Sequence, residues 1–294
     1  MNLVVGATGM LGGEICRQLA AAGKPVRALV RSTSDPGKVQ ALRELGVELV
    51  EGDVRDRASL DAACAGATAV ISTVSSMPRA YQPGENDIER VDLNGVKALI
   101  DAAVGAGVKH MVYTSFSGHM DLDFPLRNAK RGVEAYLKGS GLAYTVLRPS
   151  YFMEAWLSPV VGFDAANAKA TIYGTGEQPI SWISFQDVAQ FAVASLDNPA
   201  ARNAVLELGG PEALTPNQVI GIFEGCCGQP FEVQYVPAEA LAVQQAGTTD
   251  PMQQSFSGLM RCYAAGDRID MAETGKAFPF ERRSVAQYAA SVTA

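Results

Sequence analysis

The chain has 294 residues, 48% of them hydrophobic and 19% charged, enough for one large or two modest globular domains with a substantial buried core. A net charge of −7 argues against a nucleic-acid partner held by electrostatics. No apolar run approaches the roughly 20 residues that cross a bilayer, so no membrane partner is expected.

Residues 2–13 read NLVVGATGMLGG and are followed by EICRQLAAAG at helical spacing. An apolar run, a glycine turn and a helix start form a phosphate-binding pattern. Glycine lets the backbone approach a pyrophosphate, and the helix start offers free N–H groups and a positive dipole end. The spacing is G-x-x-G-x-x-G rather than G-x-G-x-x-G. Gly6, Thr8, Gly9, Met10, Leu11 and Gly12 are the candidate residues of this cradle. No basic region precedes the apolar stretch, which ends at glycines, so a secretory signal is not expected and the cytoplasm is the default compartment.

Strand-like VRALV follows, then a helix in GKVQALRELG and a strand in VELVEGD. ASLDAACAG reads as a helix, TAVISTV as a strand, and DIERVDLNGVKALIDAAVGAG as one long helix. KHMVYTS, the helix LRNAKRGVEAYLKGSG and the strand AYTVLRP complete the alternation. Nearly continuous apolar strands alternating with helices predict an α/β fold, a doubly wound parallel sheet of Rossmann type covered on both faces. Beyond Pro149 the pattern weakens, with a helix in ISFQDVAQFAVASLDN, a strand in AVLELGG, and a helix in TPNQVIGIFEGCCG opened by Thr215 and Pro216. The remainder reads as helical or irregular. The division expected is a dinucleotide-binding domain over residues 1–152 and a smaller substrate-binding region over 153–294, packed over the carboxyl ends of the strands, with about 180–210 returning to the sheet.

The five cysteines form no C-x-x-C pair, and only His110 and His119 supply imidazole, so no metal centre is expected. The cysteines read as small buried hydrophobes in a reducing compartment.

GATGMLGG, RALVRS, EGDVRD, VYTSFSG, KRGVEAYLKGSGLAYTVLRPSYFME and ISFQDVA, in that order over residues 1–210, resemble the NmrA-like and isoflavone-reductase-like branch of atypical short-chain dehydrogenases. The resemblance implies the fold and a nicotinamide dinucleotide. The branch holds quinone reductases, phenylpropanoid and polyketide reductases and non-enzymatic sensors, so it leaves the reaction open.

The second strand ends in ALVRSTS, placing Arg31 where dehydrogenases that use NAD carry an acidic residue. A guanidinium there suits a ribose 2′-phosphate, with Ser32 adding a hydroxyl, so the cofactor read from these residues is NADP(H). The resemblance puts Asp53 and Val54 beside the adenine; alternatively Asp53 caps the helix that starts near Ser59. Ser72, Thr73 and Val74 would line the path from ribose to nicotinamide, and Ser115 joins the cofactor set.

Along LRNAKRGVEAYLK, Leu126, Ala129, Lys130, Val133, Tyr136 and Leu137 share an apolar face, while Arg127, Arg131, Glu134 and Lys138 share a solvated one. A lysine in an apolar stripe needs a partner for its ammonium, and a cofactor ribose or a substrate oxygen would serve. Replacing it by methionine is expected to leave stability unchanged or higher. Many short-chain dehydrogenases carry Tyr-x-x-x-Lys, but Leu126 stands four residues before Lys130. Lys130 is therefore either an acid or electrostatic stabiliser, as in the isoflavone-reductase-like branch, or only an anchor for the ribose. Tyr151 is a second candidate catalytic hydroxyl. Phe116, His119, Tyr151, Phe152 and Trp182 are expected to line a substrate pocket, with Phe185 beside them, suited to a flat apolar compound.

These readings converge on an NADPH-dependent reductase of a small, fairly apolar carbonyl, enone or quinone, acting as a monomer or homodimer. The alternatives are a non-catalytic NADP(H) sensor and an accessory subunit of a larger assembly.

Overall fold

A computed structural model describes residues 1–77 and 80–293. In chain order the first elements are β1 (Asn2–Val5), α1 (Met10–Ala21), β2 (Val26–Val30), α2 (Pro36–Glu44), β3 (Glu48–Glu51), α3 (Arg57–Cys64) and β4 (Ala69–Ser72). A π-wound stretch, Ile88–Gly95, then runs into α4 (Val96–Gly105), followed by β5 (His110–Thr114), α5 (Pro125–Gly139) and β6 (Ala143–Pro149). The later elements are α6 (Met153–Trp156), β7 (Phe163–Asp164), β8 (Lys169–Tyr173), α7 (Phe185–Ala194), β9 (Ala204–Leu208), α8 (Pro216–Cys227), β10 (Glu232–Val236), α9 (Ala238–Ala246), α10 (Pro251–Ala265), α11 (Ala272–Ala277) and α12 (Val285–Thr293).

A seven-stranded sheet has the order β3-β2-β1-β4-β5-β6-β9. β1 pairs in parallel with β2 and β4, placing Val4 between Ala28 and Ile71. The β2–β3, β4–β5 and β5–β6 pairs are also parallel. This is the doubly wound α/β arrangement, in which the strand order reverses beside β1. Its core is aliphatic, with Leu3, Val70, Met111 and Val146 from the strands meeting Leu99 and Val133 from helices. The helix starts are written locally: the Asp35 carboxylate accepts from Lys38 N at the Pro36 start of α2, and Thr215 and Gln218 close a capping box on α8.

The chain divides into two compact units. The first comprises residues 1–115, 128–147 and 188–206, and the second residues 116–127, 148–187 and 207–294. The segment 116–127 thus joins the second unit although it precedes residue 152. The second unit holds a three-stranded sheet, β10-β8-β7, absent from the sequence reading of this region. β8 and β10 run parallel and β7 antiparallel to β8. Its strands have two to five residues, too short for alternation to stand out. The expected single helix over 87–107 also differs, since its first half is π-wound. That winding carries a buried carboxylate, Asp92, and π-turns inside helices are frequent at functional sites.

Among the described residues no helix is long and apolar enough to cross a membrane, and no three His, Cys, Asp or Glu side chains gather to hold a metal. Cys16, Cys64 and Cys262 are buried, but Cys226 is exposed and Cys227 half-buried in the last turn of α8, against the expectation of burial for all five.

Candidate functional site

In the first unit the chain turns between β1 and α1 through Gly6, whose φ of +92° suits glycine. Gly9 N donates to Gly6 O at 2.9 Å, closing the turn. Gly12 packs so tightly that a Cβ on it would stand 2.2 Å from Gly6 O. Gly9 is the N-cap of α1 and supplies no side-chain cap, so no side chain of its own answers the first-turn amides. Thr8 is half-buried, Met10 is 49% exposed and Leu11 is in the core. From β4, the Thr73 hydroxyl lies 3.4 Å from both Val5 O and Gly6 O, and the buried Ser72 hydroxyl has no hydrogen-bond partner among the described residues.

At the end of β2, Arg31 N meets Ser34 Oγ at 3.0 Å, and its guanidinium reaches Asn86 Oδ1 at 3.4 Å. Ser32 is exposed in the same turn. Asp53 does not cap the helix that follows it. Both its oxygens sit on the fork of Arg55, at 2.8 and 2.7 Å, and this pairing holds its carboxyl below the usual range. The cap of α3 is Asp56, accepting from Ala58 N. Val54 is buried, packing against Gly95. Arg55, which also donates to Glu85 O at 2.7 Å, was not singled out from the sequence. Its signal was the i, i+2 spacing with Asp53 just past a strand end.

Lys130 is 5% exposed. Its Nζ donates to Val74 O at 3.0 Å, lies 3.7 Å from Asp92 Oδ1 and stands 5.3 Å from the Tyr113 ring centroid. Asp92 in turn accepts from Ser76 N at 3.0 Å and Ser76 Oγ at 2.6 Å. Burial lowers the affinity of Lys130 for its proton, while Asp92 and Glu134 oppose that shift. Asp92 is the residue that the sequence reading missed. It lies 38 positions from Lys130, and only the fold joins them. The solvated face assigned to α5 is also corrected. Glu134 is 2% exposed, accepting from Ser115 Oγ at 2.6 Å and from Arg131 at 2.7 Å. Tyr136, placed on the apolar face, is 40% exposed and donates to Asp101.

In the second unit the ring of Tyr151 packs against Trp156 and Tyr263, with centroids 4.7 and 5.6 Å away. Tyr151 is 1% exposed, its hydroxyl donates to Leu259 O at 3.1 Å, and burial pushes its ionisation well above the ordinary phenol value. A phenol so placed is a packing residue, which corrects its reading as a catalytic hydroxyl. Trp182 is similarly sealed, at 1% exposure with Nε1 donating to Leu214 O, so it too is core rather than pocket wall. Phe152 is half-buried with its ring 4.4 Å from that of Phe185, and the half-buried Phe116 stacks on Phe124. His119 is open to solvent and paired with Asp267.

The pattern of the NmrA-like family matches residues 2–288. The NAD(P)H azoreductase of Xenophilus azovorans is 33% identical over 263 residues, 88% of this chain and 85% of its own. The photosystem II assembly factor Ycf39 of Trieres chinensis is 33% identical over 241 residues, 80% and 72% of the two chains. Among solved structures, the Escherichia coli quinone oxidoreductase QOR2 complexed with NADPH shares the fold, with a TM-score of 0.79, 23% identity and full coverage of both chains. With a family pattern running almost from end to end, this chain belongs to the NmrA-like family.

Proposed function

We propose that the chain binds NADP(H) on its glycine turn and reduces a small, fairly apolar carbonyl, enone or quinone. The observation that carries this reading is the glycine turn under the uncapped start of α1, with Arg31 at the end of the neighbouring strand. The donor set fits the group: backbone amides and a dipole end for a pyrophosphate, and a guanidinium with an adjacent hydroxyl for a 2′-phosphate. Gly6, Thr8, Gly9, Met10, Leu11 and Gly12 would hold the pyrophosphate, Arg31 and Ser32 the 2′-phosphate. Asp53 and Val54 would lie towards the adenine, and Ser72, Thr73, Val74, Ser115 and Lys130 towards the nicotinamide half. When bound, this cofactor supplies a hydride. Lys130 donates to Val74 O from a buried position, where it would either anchor a ribose hydroxyl or stabilise negative charge on a substrate oxygen. The reductase relatives support reduction over other uses of the dinucleotide.

Leu126, in place of a tyrosine four residues before Lys130, and the assembly-factor relative favour a second reading, a protein that binds NADP(H) and changes partner with its redox state. NADPH oxidation against quinones, enones, aldehydes and azo dyes, beside a binding titration without acceptor, separates the two. Turnover with at least one acceptor class is expected. Tight binding with no turnover across the panel would leave the second reading.

A further inference from the structure

Between β4 and the π-wound stretch, the chain of the first unit makes a short hairpin over residues 82–86. Gln82 N donates to Asn86 O at 3.0 Å, and Asn86 N donates to Gln82 O at 2.9 Å. Gly84, with a φ of +75°, turns the chain between them. Its N–H donates to Asp87 Oδ2 at 3.1 Å, while Asp87 Oδ1 accepts from Arg90 N at 2.8 Å and caps the π-wound stretch. The turn and the helix start thus share one carboxylate.

Two arginines from the ends of the neighbouring strands β2 and β3 reach this hairpin. Arg55 donates to Glu85 O at 2.7 Å, and Arg31 donates to Asn86 Oδ1 at 3.4 Å. Asn86 differs from the rest of the hairpin: it is 5% exposed, whereas Gln82, Pro83, Gly84 and Glu85 are open to solvent. Its amide nitrogen donates to Ala80 O, so the carboxamide oxygen is the atom presented to Arg31.

An arginine at a strand end loses rotamer freedom when an anion captures it, and that ordering cost is subtracted from affinity. A partner that already holds the guanidinium removes part of the cost. Asn86 suits this task because its oxygen is neutral, orienting the fork without cancelling its charge. The contact takes one edge of the planar group and leaves other N–H groups for a bidentate anion. The Asp53 carboxylate is taken by Arg55 and senses Arg31 as a nearby charge.

We propose that Asn86 is a specificity-determining residue of the dinucleotide site, positioning the Arg31 guanidinium for a ribose 2′-phosphate. The inference rests on the reading of Arg31 given above. Asn86 acts through Arg31, so its removal should weaken ligands that carry the 2′-phosphate and spare those that lack it.

The test is competitive titration with NADPH, NADH, 2′,5′-ADP and 5′-AMP on the unaltered protein, Asn86→Ala, Asn86→Asp and Arg31→Ala. Asn86→Ala should weaken NADPH and 2′,5′-ADP by about three- to tenfold, the scale of one side chain left unfixed, with NADH and 5′-AMP unchanged. Asn86→Asp keeps the shape but adds an anion that pairs with Arg31. It should weaken both 2′-phosphorylated ligands by roughly tenfold or more. In an Arg31→Ala background, adding Asn86→Ala should leave the NADPH-to-NADH ratio where Arg31→Ala alone put it. A hairpin that merely loosened would weaken all four ligands together, and that result overturns the inference. So does an unchanged ratio in Asn86→Ala when Arg31→Ala lowers it. A ratio untouched by Arg31→Ala removes the reading of Arg31 itself, and this role for Asn86 with it.

Discussion

Around the glycine turn of the first unit, most of the candidate groups lie within a few residues of a strand end. Gly6 follows β1, Arg31 follows β2, Asp53 and Arg55 follow β3, and Thr73 and Val74 follow β4. The polar pairs of the second unit join positions far apart: His119 with Asp267, Tyr151 with Leu259 and Trp182 with Leu214. A parallel sheet delivers consecutive strand ends to one edge, so a site built there is written in short local motifs. A unit of short strands and irregular helices has no such rule, and its pairs exist only once the chain has folded. The contrast also reaches charge. The first unit answers its buried lysine with a carboxylate, whereas the second buries carboxylates that are answered mainly by neutral donors.

The largest test of that contrast is Lys130→Met. From the sequence, removing the charge should cost nothing, but the structure pairs Lys130 with Asp92 at 3.7 Å, and Asp92 is fully buried. The single change leaves that carboxylate without its cation, and a loss of about 3–5 kcal/mol is expected in urea unfolding. Adding Asp92→Asn should recover most of it, since an amide oxygen can still accept from Ser76. Turnover should fall by roughly a hundredfold in both variants if Lys130 stabilises charge in the reaction. A single variant as stable as the unaltered protein would show that Asp92 does not depend on the ammonium.

The glycine turn separates two further effects. A Cβ at Gly12 would stand 2.2 Å from Gly6 O, backbone that cannot move aside, so Gly12→Ala should cost about 3 kcal/mol. At Gly9 the nearest atom would be 3.1 Å away. Gly9→Val should therefore keep most of the fold and lose dinucleotide affinity, read by thermal unfolding beside a binding titration. Equal stability losses at the two positions would mean that both glycines serve packing alone.

These cases show why the first unit was legible. Strand, glycine turn and helix are encoded within residues 2–21, and the alternation of apolar strands with helices points to a parallel sheet covered on both faces. What escaped the sequence was pairing. Asp92 looked like one acid in a helix, Glu134 and Arg131 like solvated charges, and Asp53 like an open acceptor, because nothing local announces a partner tens of residues away. Tyr151 and Trp182 are ambiguous in the sequence, because aromatic side chains after a strand suit a pocket and a core equally well. Burial decided that, and burial is a property of the fold.

Acid titration should distinguish the units by sign. Asp187, buried in the second unit with Arg283 N at 3.0 Å and Glu154 nearby, has its carboxyl pushed up to about 6 by burial. Between the unfolded value near 3.8 and about 6 the folded chain holds more protons, so this contribution favours folding below that window and is lost as pH rises through it. Asp53 in the first unit is held low by Arg55, so its contribution is present above the unfolded value and is lost as pH falls. Asp187→Asn should flatten the fall in stability between about pH 4 and 6, raising stability at pH 7 by up to about 3 kcal/mol. A stability profile identical to that of the unaltered protein would mean that Asp187 does not titrate high.

The smallest expected effect concerns the two arginines beside the glycine turn, which differ in how far they are committed. Arg55 has its guanidinium on both oxygens of Asp53 and on Glu85 O, while Arg31 has a 3.4 Å contact with Asn86 and a partly open position at the strand end. A dianionic 2′-phosphate would therefore be met chiefly by Arg31, since Arg55 would have to leave a carboxylate to join it. NADPH should bind at least about tenfold more tightly than NADH, roughly 1.4 kcal/mol. Arg31→Asp should erase or invert that ratio, because it places an anion where the phosphate would stand. Arg55→Ala should keep the ratio and weaken both dinucleotides together, by freeing Asp53 and loosening the loop that carries it. Competitive titrations with both dinucleotides on the three proteins read this directly. A preference that survives Arg31→Asp and disappears in Arg55→Ala would transfer the 2′-phosphate to Arg55, and with it the assignment of the cofactor-selecting position from the end of β2 to the end of β3.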